Sequence, residues 1–227
     1  MKRKLKTLTY LFLLVFAFNT TVFAAEVTHD KNIINMPQKS ENIRSITKQE
    51  YCEAIAKSRG ISVEKAEEIT NDVINKHKET LKDLPRRPQP RSIRWGSSYR
   101  DEYGGYHNFA WVYKRVDAGG GMFVEVGVPA IIYVFDSYAR EFVQVNEDDC
   151  YAKAVGSGSY TFNVFSKQAK FINDTVHLNA RGAVEVKTST AANLGLTASK
   201  LISFGFSIGA DSYARKTVTI SHVESLY

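Results

Sequence analysis

The chain has 227 residues, 30 basic and 24 acidic groups, a formal net charge of +6 and 12% aromatic residues. That length accommodates one domain with an appendage, or two small ones. The charge does not mark a nucleic-acid binder. Lys2, Arg3, Lys4 and Lys6 precede the first acidic residue, Glu26, and residues 25–227 hold 26 basic against 24 acidic groups.

Residues 2–6 form a cationic n-region, Leu8 to Phe18 an apolar run, and Val22-Phe23-Ala24 a small-residue cleavage pattern. The run is about 11 residues, short of the ~20 that span a bilayer. Residues 1–24 therefore read as a bacterial signal peptide removed after Ala24, and the mature product as secreted. Residues 25–45 are polar and read as a disordered leader.

Residues 46–84 read as a helical hairpin. Thr47-Lys48-Gln49-Glu50 has the pattern of a capping box, in which the Thr hydroxyl and the Glu carboxylate satisfy two orphan N–H groups. Tyr51, Ile55 and Cys52, Ala56 recur at helical spacing, and Gly60 fits a helix C′ position. Ser62 starts a second helix with Ala66, Ile69, Val73, His77 and Leu81 on one face. Thr47 to Tyr51 with Gly60-Ile61-Ser62 resembles the first two helices of HU-type histone-like proteins over about 30 residues. No basic β-arm follows, so no function is carried over.

Residues 85–92, Pro-Arg-Arg-Pro-Gln-Pro-Arg-Ser, read as a linker, because proline lacks an N–H and biases its predecessor to extended geometry. Residues 93–227 hold 21 aromatics, whereas residues 25–92 hold one, Tyr51. From Phe109 onward the pattern has period two: 109–113, 123–126, 131–135, 142–145, 160–165, 183–186 and 217–220. Turn signals fall at Gly104-Gly105, Gly119 to Gly121, Gly156 to Gly158 and Asn179 to Gly182. The expected fold class is α+β, an N-terminal helical hairpin followed by a mainly antiparallel β-sandwich over 93–227.

Cys52 and Cys150 are the only cysteines. In an oxidising compartment they suggest a disulfide, with two buried free thiols as the alternative. A bridge across nearly 100 residues is worth about 4–5 kcal/mol in the chain-entropy model.

No G-x-S-x-G elbow, P-loop, H-E-x-x-H or C-x-x-C is present. His29, His77, His107, His177 and His222 are scattered without ligand spacing. His107 is a lone candidate base, and Glu147-Asp148-Asp149 reads as an acidic turn. No catalytic residue, metal or cofactor is expected.

Trp95, Tyr103 and Tyr106, with Arg100, lie among Gly, Ser and Asp, and are the candidate ligand-binding residues. An exposed aromatic ring offers an apolar face to a sugar or peptide, and a guanidinium adds charged hydrogen bonds. Phe109, Trp111 and Tyr113 are assigned to the core face.

In residues 192–210 the even positions include Leu194, Leu196, Ile202, Phe204, Phe206 and Ile208, while the odd ones are mostly Gly, Ser, Thr and Asn. With a turn at Lys200, this reads as two strands, either structural or a candidate membrane hairpin. The functional expectation is a secreted, non-catalytic interaction protein binding a glycan, an envelope polymer or a protein at the bacterial cell surface. The alternative is a membrane-active toxin, pore-forming or bacteriocin-like. Nucleic acid is not an expected partner.

Overall fold

A computed structural model describes residues 40–82, 104–135, 139–156 and 159–226, with the side chains of 139 and 140 left aside. The expected signal peptide, most of the expected leader, the expected Pro/Arg linker and the candidates Trp95, Arg100 and Tyr103 lie outside the described residues.

Strand β1 (Ile43–Ile46) occupies the end of the expected leader and pairs with β2 (Gly105–Asp117). Helix α1 (Lys48–Arg59) follows, with both halves of the Thr47–Glu50 capping box formed and Gly60 ending it. Helix α2 (Val63–Lys82) begins where the Ser62 hydroxyl accepts the Lys65 N–H at 3.2 Å. Among the described residues the chain is α+β, with four α-helices and two antiparallel sheets.

The first sheet runs β1-β2-β3, with β3 (Phe123–Phe135) paired along its far edge by β4 (Ala139–Val145) and then β5 (Tyr151–Val155). Pro129 lies mid-strand without disrupting the ladder. β5 pairs residues 123–127 and β4 pairs 130–135, so proline occupies the interval between the two partners, where no N–H is required. The second sheet runs β6-β7-β9-β8, from β6 (Thr161–Ile172), β7 (Thr175–Lys187), β9 (Tyr213–Ser225) and the short β8 (Ser207–Ile208). The turn expected at Asn179 to Gly182 lies inside β7. The β6–β7 turn is made by Asn173 and Asp174, both at positive φ, as a two-residue primed hairpin turn requires.

Buried side chains from both sheets fall in one cluster, including Val112, Val126 and Ile132 from the first and Leu178, Val184 and Ile220 from the second. Each such side chain contributes about 1.5–3 kcal/mol of burial. A second cluster joins the helices to the opposite face of the first sheet: Tyr51, Ile55 and Ala66 meet Phe109 and Ile131. The helical hairpin thus borrows part of its core from the strands and is docked on them.

Two further expectations are corrected. Residues 192–210 are not a strand pair. They follow α3 (Thr188–Ala191) as a 3-10 turn at Ala192–Leu194, then α4 (Ala198–Ser203), then β8. The Thr197 hydroxyl caps α4 by accepting the Lys200 N–H, and Gly195 and Gly205 adopt φ of 68° and 85°. Left-handed residues and a cap break the extended geometry that strict alternation needs. Leu196, Leu201 and Phe206 point inward, Leu194 is partly buried, and Ile202, Phe204 and Ile208 are exposed.

Cys52 and Cys150 are free and buried, with no disulfide between them. Cys52 belongs to the helix–sheet cluster, its Sγ 3.7 Å from Thr70 Oγ1. Cys150 belongs to the inter-sheet cluster, where burial pushes its thiol up to about 11. The two thiols lie in different cores.

Candidate functional site

Side chains alternate across β2 and β3, so parity decides their face. Even-numbered residues of both strands, such as Ala110, Val112, Val126 and Val128, enter the inter-sheet cluster. Odd-numbered ones project from the outer face of the first sheet, where α1 and α2 cover only part of the surface. Register places Arg44 beside Trp111, Tyr113 across Gly127 from Tyr151, and Arg115 across Glu125 from Lys153. Trp111 packs partly buried against the cluster where Phe109 and Ile131 meet the helices, and Tyr113, Tyr151 and Lys153 extend beyond it.

The face is aromatic and cationic. Trp111, Tyr113 and Tyr151 are half-buried, while Arg44 and Lys153 are exposed. The Trp111 and Tyr151 rings meet edge to face, centroids 5.0 Å apart at 88°. The Arg44 guanidinium lies 5.7 Å from the Tyr113 ring centre, and the Lys153 ammonium 4.8 Å from that of Tyr151. Gly127 makes room for this. A Cβ there would come within 2.7 Å of the Tyr151 hydroxyl oxygen, so any other residue would push the ring off the sheet.

Glu125 anchors the arrangement from below and is 2% exposed. Arg115 donates to its Oε2 through Nε at 3.1 Å and Nη2 at 2.7 Å, and the Tyr151 hydroxyl donates to its Oε1 at 2.6 Å. Burial and the bond to Glu125 hold the Tyr151 hydroxyl protonated far above its ordinary range. The ring is therefore fixed at one end by a satisfied buried carboxylate.

The sequence assignment to a core face holds for Phe109 and in part for Trp111, which packs half-buried against the helix–sheet cluster, and is corrected for Tyr113. Parity places Trp111 and Tyr113 with Phe109, on the face away from the inter-sheet core, and only Phe109 is fully covered by the helices. Tyr106 has the opposite parity. It packs partly buried against the inter-sheet cluster and is not grouped with the aromatic face.

A second constellation lies under α2. His107, Tyr133 and Glu141 occupy one register row across β2, β3 and β4, and α2 lays His77 over it. His77 Nε2 is 2.6 Å from Glu141 Oε1, and His77 Nδ1 is 2.9 Å from His107 Nε2. The bond from His77 holds the Glu141 carboxyl below its usual range. Glu141 accepts from Nε2–H of His77, and the contact between His77 Nδ1 and His107 Nε2 takes its donor from the tautomers of the two rings. The nitrogens of His77 face two different partners, so this is a chain of hydrogen bonds rather than a convergent ligand set.

The acidic turn is consumed by the fold. Arg59 holds the buried Asp149 through Nε and Nη2, at 3.1 and 2.8 Å, and the Glu147 carboxylate accepts the Phe171 N–H at 2.7 Å. Among the described residues no group of three or more His, Cys, Asp or Glu side chains is arranged to hold a metal ion.

No family model, curated protein or solved structure matches this chain. The aromatic face and the histidine chain are therefore read from their own geometry. Neither was evident as a cluster in sequence. Parity alone offered a signal for Trp111 and Tyr113, and nothing local linked His77 to His107.

Proposed function

We propose that the protein is exported with loss of residues 1–24 and acts without catalysis at the bacterial cell surface. It holds a glycan, an envelope polymer or another protein on the outer face of the first sheet. The observation that carries this reading is the half-buried trio Trp111, Tyr113 and Tyr151 flanked by exposed Arg44 and Lys153. Rigid rings on a strand surface lose little side-chain entropy on binding, which suits a contact face. We read the two sheets as halves of a β-sandwich, since their buried side chains share one cluster. Trp95, Arg100 and Tyr103 join the proposal through the sequence alone.

The test is retention of the purified mature protein on isolated cell envelopes. Trp111→Ala and Tyr113→Ala are each expected to lower retention at least tenfold with the fold intact by circular dichroism. Unchanged retention removes this face from the proposal.

One observation favours the membrane-active alternative: Ile202 is 60% exposed, beside exposed Phe204 and Ile208. In that reading the helical segment 192–206 would refold on insertion. Dye release from liposomes that is lost in Ile202→Ser would support it. No release at any lipid composition or pH would remove it.

A further inference from the structure

The aromatic face carries positive charge that no described residue compensates with an ion pair. Arg44 lies over the Tyr113 ring in a cation–π arrangement, and Lys153 over the Tyr151 ring. Among the described residues neither has an ion-pair partner or a hydrogen-bond acceptor. The nearby carboxylate, Glu125, is occupied by Arg115 and Tyr151. The Trp111 indole N–H and the Tyr113 hydroxyl likewise have no partner among the described residues.

The placement of these groups narrows the ligand. Arg44 is on β1 and Lys153 on β5, with β2 and β3 between them, so the cations flank the rings from opposite sides. A linear chain with repeated negative groups, laid across β2 and β3, can meet both. The surface between them is a sheet face with aromatic rings and free donors, which suits sugar rings carrying hydroxyls. A lipid surface would call for a patch of exposed apolar side chains, and the most exposed of these, Phe165, Ile202 and Val223, lie outside the first sheet.

We infer that this face binds an acidic polysaccharide, whose sugar rings pack on Trp111 and Tyr151 while its carboxylate, sulfate or phosphate groups meet Arg44 and Lys153. The inference rests on the proposed contact face and adds its ligand class. Arg44 contributes up to five N–H donors in a planar fork, matched to an oxyanion, and Lys153 a mobile point charge. Attraction between exposed charges weakens as salt shortens the screening length from about 10 Å at 0.1 M.

The probes are dextran sulfate and neutral dextran, which share a backbone and differ in charge. The mature protein is expected to bind dextran sulfate, with affinity falling as salt rises, and to bind dextran at least tenfold more weakly. Arg44→Gln with Lys153→Gln should cost at least tenfold. Lys167→Gln with Lys187→Gln removes equal charge from the second sheet and should cost less than twofold. Trp111→Phe should weaken binding with unchanged thermal stability, separating contact from folding.

Equal binding of both polymers that still depends on Trp111 overturns the acidic requirement and leaves the contact face standing. Dextran sulfate binding insensitive to the Arg44/Lys153 pair, or no binding of the polymer, overturns the inference. Envelope retention independent of Trp111 overturns the underlying contact face separately.

Discussion

His77 Nδ1 lies 2.9 Å from His107 Nε2, and the two rings meet at 89°, one from a helix and the other from a strand. Glu141 completes the chain from β4, and the Tyr133 ring packs against both imidazoles. This small polar cluster ties the C-terminal half of α2 to the first sheet.

The Glu141 carboxyl is lowered in the fold, first by its bond from His77. A lowered carboxyl stabilises the folded state above its unfolded pKa, near 4.5, and that contribution disappears as pH falls through the lower folded value. Glu141→Gln should therefore flatten the fall of Tm below about pH 4.5. Parallel Tm–pH curves for the two proteins would count against the bond.

Arg59 and Asp149 connect the end of α1 to the turn after β4. Asp149 has 2% side-chain exposure and Arg59 34%. The link extends inward, since Asn146 accepts from Arg59 and donates to the Tyr51 hydroxyl. Arg59→Met strands a buried carboxylate and should cost about 3 kcal/mol, the low end for such a loss, because Arg59 is partly solvated. Arg59→Met with Asp149→Leu should recover most of it. Urea denaturation measures both, and additive losses would argue against the coupling.

The thiols should be inert in the native protein. Cys52 and Cys150 are both buried, and Cys150 titrates well above neutrality. A thiol reagent at pH 8 should label neither quickly and both in urea. Intact mass should be the same with and without reductant, whereas a gain of about 2 Da on reduction would demonstrate a bridge.

The Gly119–Gly121 turn should be sensitive at two positions and tolerant at the third. A Cβ on Gly119 would meet Phe204 Cβ at 2.7 Å, and one on Gly120 would meet Leu196 Cδ2 at 2.8 Å. Gly121 also has positive φ, yet a Cβ there meets nothing within 4 Å. Alanine at 119 or 120 should cost about 2–4 kcal/mol from clash plus backbone strain, and at 121 about 1 kcal/mol from strain alone. Equal losses in urea denaturation at all three would show that the packing of 196–206 on this turn is unimportant.

Much of the local structure was legible. The Thr47–Glu50 box, the Gly60 stop and the stripe through Ala66 and Leu81 follow from bonds and spacings within a few residues. The period-two strands were legible for the same reason, although β3 and β7 run through positions that read as breaks. The acidic turn kept its turn form, but its partners Arg59 and Phe171 were out of sight, since they come from other elements.

By itself, the sequence determined the local units: capped helices, alternating strands and glycine turns, all set by near-neighbour sterics and hydrogen bonding. It also determined parity along β2, which groups Trp111 and Tyr113 with Phe109. Only the tertiary structure decided what each face meets. The docking of α1 and α2 covers Phe109 and leaves Trp111 and Tyr113 half-buried beside Tyr151 and Arg44. It also brings His77 to His107, separates Cys52 from Cys150, and coils 192–206 against the glycine turn. Burial is a property of neighbours drawn from distant parts of the chain. A short pattern specifies how a segment bends, not which surface will cover it.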